Sequence, residues 1–231
     1  FLFERQEHPA RAKKYNDHLT GRNVKKKLRF RPIRCKKEVT LPKKFIFMGK
    51  LNRRTLIGRK PETAVLEKAY QSDEPEMVAV IGRRRVGKTF LVRQCYAERV
   101  VFEMTGIKNG KKSEQLRHFK DRLNHFAQPA QPYKSPKNWQ AAFEMLTAWL
   151  EKRESDEKAV VFFDELPWLA GKRSDFIKAF GLFWNSWASQ QHIVVVICGS
   201  AASWMITHVV RDKGGLHNRI TRRILLKPFN L

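Results

Sequence analysis

Four short and largely unbroken apolar runs constrain the fold of this chain more than any other feature: MVAVI (77–81), RVVFEMT (99–105), AVVFF (159–163) and HIVVVICG (192–199). None shows the strict polar–apolar alternation of a half-exposed strand. Strands made from them must be covered on both faces. The segments between them have helical spacing. FLVRQCYAE (90–98) reads as one helix, and SEQLRHFKDRLNHFA (113–127) sets Leu116, Phe119, Leu123 and Phe126 on one face. NWQAAFEMLTAWLEKRE (138–154) aligns Phe143, Leu146 and Leu150, and SDFIKAFGLFWNSWASQ (174–190) offers Ser174 as an N-cap. RRILL (222–226) supplies a short fifth strand. Buried strands alternating with helices predict an α/β domain, a parallel five-stranded sheet flanked by helices and wound with right-handed crossovers.

The first strand runs into GRRRVGKT (82–89), which fits G-x-x-x-x-G-K-[ST], the phosphate-binding loop. Gly82 and Gly87 are expected to permit the backbone angles that turn successive N–H groups inward around an anion. The following helix adds its N-terminal dipole. Lys88 is placed to reach β- and γ-phosphates and Thr89 to bind Mg²⁺, with Arg85, Val86 and Phe90 as neighbouring nucleotide contacts. The arginines 83–85 either add positive potential near the phosphates or face solvent. A P-loop NTPase also needs an acidic residue at the end of another core strand. VVFFDEL supplies Asp164 for the metal and Glu165 to orient or deprotonate water. Ser200, ending VVVICGS, is a candidate γ-phosphate sensor. Arg219, read as ending a helix before the last strand, is a candidate arginine finger acting on a neighbouring subunit, with Arg222 and Arg223 as rivals. Trp168, Trp184, Trp187 and Trp204 read as packing residues rather than base-stacking ones.

The formal charge is +25, and it is unevenly spread. Residues 1–47 hold 15 Lys/Arg against 4 Asp/Glu, and residues 48–231 hold 32 against 18. The first segment lacks periodicity and opens on Phe1. It is expected to be a disordered or non-native stretch ahead of a natural start at Met48, the other reading being a basic arm that tracks phosphate backbones. The basic balance also admits a nucleic-acid partner. No apolar run is long enough for a membrane helix. Cys35, Cys95 and Cys198 are widely spaced and never form C-x-x-C, as expected of reduced thiols in a cytoplasmic protein.

IGRKPETAVLEKAYQSDEPEMVAVIGRRRVGKTFLVRQ resembles the start of a prokaryotic and archaeal ATPase family of the AAA/STAND type, and FFDELPWLA, FWNSWASQ, VVVICGSAASWM and GGLHNRITRRILLKPF follow in the family's order. The resemblance covers about residues 55–231. It implies an ATPase core over 48–231 and Mg²⁺-dependent hydrolysis of ATP. It also implies a base-side role for Gly58 and Arg59 of a GR-x-x-E box, and a larger protein in which a winged helix and often a nuclease-like domain follow.

Overall fold

A computed structural model describes residues 58–171, 174–210, 215–216 and 218–229. Expectations for residues 1–47, Met48 and Cys35 fall outside these. In chain order the elements are α1 (Lys60–Gln71), β1 (Glu76–Ile81), α2 (Lys88–Tyr96), β2 (Val100–Thr105), α3 (Lys112–Ala127), α4 (Trp139–Leu150), β3 (Ala159–Asp164), α5 (Leu166–Leu169), α6 (Phe176–Ser186), β4 (Ile193–Gly199), α7 (Ala202–Met205) and β5 (Arg222–Leu225). A five-residue π-helical stretch, Ile206–Val210, continues from α7.

Among the described residues the five strands form one sheet in the order β2-β3-β4-β1-β5, every pairing parallel. Strand periodicity explains why the apolar runs are unbroken. On β1, Met77, Ala79 and Ile81 join a core with α3, α4 and α6, while Val78 and Val80 join a second core with α1 and α2. Val161 and Phe163 of β3 divide from Val160 and Phe162 in the same way. The larger core is rich in rings: Phe143 lies against Phe163, Phe176, Phe180 and Phe183 with centroids 5.0–5.9 Å apart.

Two local readings of the sequence are corrected. Ser174 does not cap α6. Asp175 occupies that position in a left-handed conformation, while the Ser174 hydroxyl accepts a 3.0 Å bond from Trp139 Nε1 and donates to the Leu169 carbonyl. Helix α1, not anticipated from periodicity, begins with proline in its first turn, where the missing N–H costs nothing.

The N-terminal ends of the strands are locked by charge. Arg222 of β5 pairs with Glu76 of β1 at 2.6 Å, and Thr221 donates to the same carboxylate. Lys158, only 3% exposed, points its ammonium at the carbonyls of Ala69 (3.1 Å), Ser72 (2.6 Å) and Glu74 (2.6 Å). Burial pushes its pKa down, opposed by Glu76 and Asp73. The cation thus satisfies carbonyls where α1 ends and favours the negative end of its dipole. Lys158→Met keeps the volume but leaves three acceptors without their charged donor. We expect a loss of about 3 kcal/mol and a Tm lower by roughly 6–12 °C. An unchanged melting curve would show that the three bonds add nothing net.

Candidate active site

The site forms where β1, β4 and β3 end side by side. The loop leaving β1 spans Gly82–Gly87. Gly87 has φ +91°, and the other left-handed residue in the loop is Arg85 at φ +64°. Gly82 has an ordinary φ, contrary to the expectation that it supplies the turn's special angle. Glycine is needed there for space, because a Cβ would run into the Leu226 carbonyl and lie 3.2 Å from Val86 Cγ2. The Leu226 N–H in turn donates to Ile81 O at 2.7 Å, so the chain leaving β5 braces the base of the loop.

Lys88 opens α2 and is 5% exposed. Its ammonium donates to Gly82 O and Arg83 O, both at 3.0 Å, which aims it back across the mouth of the loop. Thr89 donates its hydroxyl to Asp164 Oδ2 at 2.8 Å, joining the loop to the end of β3. Asp164 is 4% exposed and forms no salt bridge among the described residues. Burial raises its carboxyl pKa above the ordinary value, and the bonds from Thr89 and from the Glu165 N–H pull it back. Val86 is half-buried against the core of α1 and α2, and Phe90 stands 39% exposed on α2.

Glu165 adopts φ +48°, a left-handed conformation rare for a residue with a side chain. This turns its carboxylate toward the tip of β4. There it accepts from the Ser200 N–H (3.2 Å) and from the Ser200 hydroxyl (2.7 Å). The turn is packed tightly from beneath, since a Cβ at Gly106 would come within 2.8 Å of Glu165 O and 3.0 Å of Trp168 Cβ. Loop, acidic pair and Ser200 are thus brought together as the sequence led one to expect, but Ser200 bonds Glu165 itself.

Gly58, Arg59 and Arg219 do not join this cluster. Gly58 (φ +74°) and Arg59 (φ +59°) turn the chain into α1. The Arg59 guanidinium pairs with Glu62 at 3.2 Å, donates to Lys227 O at 2.6 Å and lies 4.0 Å above the Phe229 ring. It fastens α1 to the chain leaving β5. Arg219 is exposed in a turn, not at a helix end as anticipated. Its rival Arg222 is committed to Glu76 at the opposite end of the sheet.

The oxygens of Thr89 and Asp164 form a hard donor pair suited to Mg²⁺, and the ammonium of Lys88 is aimed for a phosphate, so the residues present fit a Mg-nucleotide. A family described as an ATPase domain predominantly from Archaea matches residues 56–231. The chain belongs to this archaeal-type ATPase family. An uncharacterised protein of Methanocaldococcus jannaschii is 24% identical over 173 residues, which cover 75% of this chain and 36% of that protein. Among solved structures, the Walker-type ATPase of Pyrococcus abyssi is similar at TM-score 0.56 and 20% identity, with 75% of this chain and 54% of that one covered. The ORC2 protein of Aeropyrum pernix, solved with ADPNP and ADP, is similar at TM-score 0.50 and 14% identity, with 75% and 48% covered. These likenesses bear out the P-loop ATPase fold. The ATPase domain spans about half the length of these structures and about a third of the M. jannaschii relative. Among its described residues, no helix is long and apolar enough to cross a membrane, and Cys95 and Cys198 are free thiols.

Proposed function

We propose that this ATPase domain hydrolyses Mg·ATP at the junction of β1, β4 and β3, as an AAA/STAND-type switch or motor within a longer protein. The observation that carries the reading is the joined set Lys88, Thr89–Asp164 and Glu165–Ser200 at three adjacent strand ends. In the strand order, β4 lies between the loop strand and the acidic strand, which supports the AAA/STAND assignment. Loop N–H groups and Lys88 hold the β- and γ-phosphates. Thr89 and Asp164 hold Mg²⁺, which when bound neutralises charge on the phosphate oxygens. Glu165 takes the proton of the attacking water, and Ser200 keeps its carboxylate fixed for that task. Gly58 and Arg59, with Phe229, form the base-side wall. Arg219, exposed and near the start of β5, serves a nucleotide held by a second copy, so full turnover requires an oligomer. The ATPase core is read as 48–231, of which the family match covers 56–231, and residues 1–47 are read as lying outside it. Free thiols support a cytoplasmic setting. The second reading, a nucleic-acid-binding module whose affinity ATP sets, rests on the basic balance and on the nuclease-like domain that the family resemblance implies.

Phosphate release from ATP tests the reading. Hydrolysis should fall to background when EDTA removes Mg²⁺ and return when Mg²⁺ is restored. Metal-independent release would overturn the role given to Thr89 and Asp164.

A further inference from the structure

Among the described residues, Arg84 is the one arginine of the loop with an aromatic partner. Its guanidinium lies 5.1 Å from the centroid of the Trp168 ring, within the range of a cation–π contact. Arg84 itself is exposed and has no carboxylate partner among the described residues.

Trp168 is firmly held. It lies on α5, one turn past the acidic pair, with its N–H donating to Glu165 O at 2.9 Å. Its carbonyl accepts from Gln115 Nε2 at 3.1 Å, and Gln115, itself 2% exposed, also bonds both backbone groups of Ile107. Gly106 packs directly beneath its Cβ. The backbone and Cβ that carry the ring are therefore fixed on the acidic turn, and the arginine that meets the ring comes from the loop.

The strand order gives this contact a direction. Arg84 leaves the end of β1, Trp168 follows the end of β3, and β4 with Ser200 at its tip lies between. A guanidinium reaching from loop to acidic turn must cross the side of the site where Asp164, Glu165 and Ser200 converge. On the nucleotide site proposed above, that is the terminal-phosphate side. The base side is marked by Arg59, Lys227 and Phe229 beyond β5.

We infer that Arg84 is a phosphate-facing arginine of the same subunit, and that Trp168 is the positioning residue that keeps its guanidinium on the γ-phosphate side of the loop. The inference rests on the nucleotide site proposed above. An arginine contributed in cis discriminates ATP from ADP, because only ATP carries the group it faces. A planar cation stacked on a ring keeps its in-plane N–H donors free for phosphate oxygens, which an ammonium on a flexible stem does not reproduce.

The test is equilibrium binding of Mg·ATP and Mg·ADP, with steady-state turnover, for Lys88→Ala, Arg84→Ala, Arg84→Lys, Trp168→Leu and Trp168→Phe. Arg84→Ala should weaken ATP by on the order of 10–100-fold while leaving ADP within about twofold. Trp168→Leu should reproduce part of that ATP-selective loss, Trp168→Phe should restore most of it, and the Arg84→Ala/Trp168→Leu pair should be no worse than Arg84→Ala alone. Equal effects of Arg84→Ala on ATP and ADP, or none on either, would overturn the inference. So would additive losses in the double variant. Lys88→Ala separates the two levels. If it binds both nucleotides normally, the site itself is misassigned. If it loses both while Arg84→Ala loses neither, the site stands and only Arg84 falls.

Discussion

Lys88→Ala should bind no measurable ATP and still fold. The ammonium is 5% exposed and donates to Gly82 O and Arg83 O, so it is already held at the mouth of the loop before any ligand is considered. Bonds from a charged donor contribute about 1.5–3 kcal/mol each, and a lysine serving two phosphates therefore accounts for roughly 10²–10⁴ in affinity. The cost to the fold is smaller. It is the loss of two carbonyl bonds, the one to Gly82 O buried, while no apolar residue is removed from either core. Calorimetric titration with Mg·ATP, beside a thermal melt, reads both quantities. Wild-type affinity in the variant would remove the phosphate-loop assignment. A collapsed melt would show that Lys88 serves the fold first.

Glu165→Gln should bind Mg·ATP with affinity within about twofold of wild type and hydrolyse it at least tenfold more slowly, with general-base contributions of about 10²–10⁴ setting the scale. The structure makes this substitution unusually clean. Ser200 donates both its N–H and its hydroxyl to one carboxylate oxygen of Glu165, and the amide oxygen of glutamine can accept both bonds. The side chain thus stays where it is and loses only its basicity. Asp164 and Thr89 keep their own bond one residue away. Single-turnover hydrolysis, measured with nucleotide above its dissociation constant, is the decisive comparison. Undiminished turnover would leave Glu165 a partner of Ser200 alone.

The strands were legible because burial on both faces removes alternation, and the observed ends of β1, β3 and β4 fall within a residue of the apolar runs. The convergence of the loop, the acidic pair and Ser200 was legible for a different reason: the residue types follow a motif whose proposed ligands, phosphate and metal, call for them. What escaped is what depends on backbone atoms or on distant partners. Lys158 bonds three carbonyls, and carbonyls leave no trace in residue identity. Gly82 was assigned a turn angle when its actual constraint is the Leu226 carbonyl, far along the chain. The bond from Ser200 to Glu165 spans 35 residues, and the Arg84–Trp168 contact spans a longer stretch still, so neither has a local signature. Arg59 had its signal in the GR-x-x-E spacing, but its partners Lys227 and Phe229 lie at the other end of the domain. Helix α5 is four residues long, too short for periodicity to register.

The position of β4 between β1 and β3 also governs when the site comes into being. Neighbouring strands lie about 4.8 Å apart, so loop and acidic turn are held roughly 10 Å from each other by a strand that neither adjoins in the chain. During folding, β1 must wait for β4, whose Val194 meets Glu76, and for β5, whose neighbour Thr221 meets Met77 from 144 residues away. Parallel pairings of this separation close slowly, because a large loop entropy is spent before any contact rewards it. A nascent chain that has emerged only through β3 already carries the loop and both carboxylates, yet has nothing to hold them in register. Nucleotide bound at the proposed site is therefore expected to recognise only the finished sheet. At a hundred times its dissociation constant it would deepen the native well by about 2.7 kcal/mol, making ATP a late-acting fastener of the fold as well as its fuel.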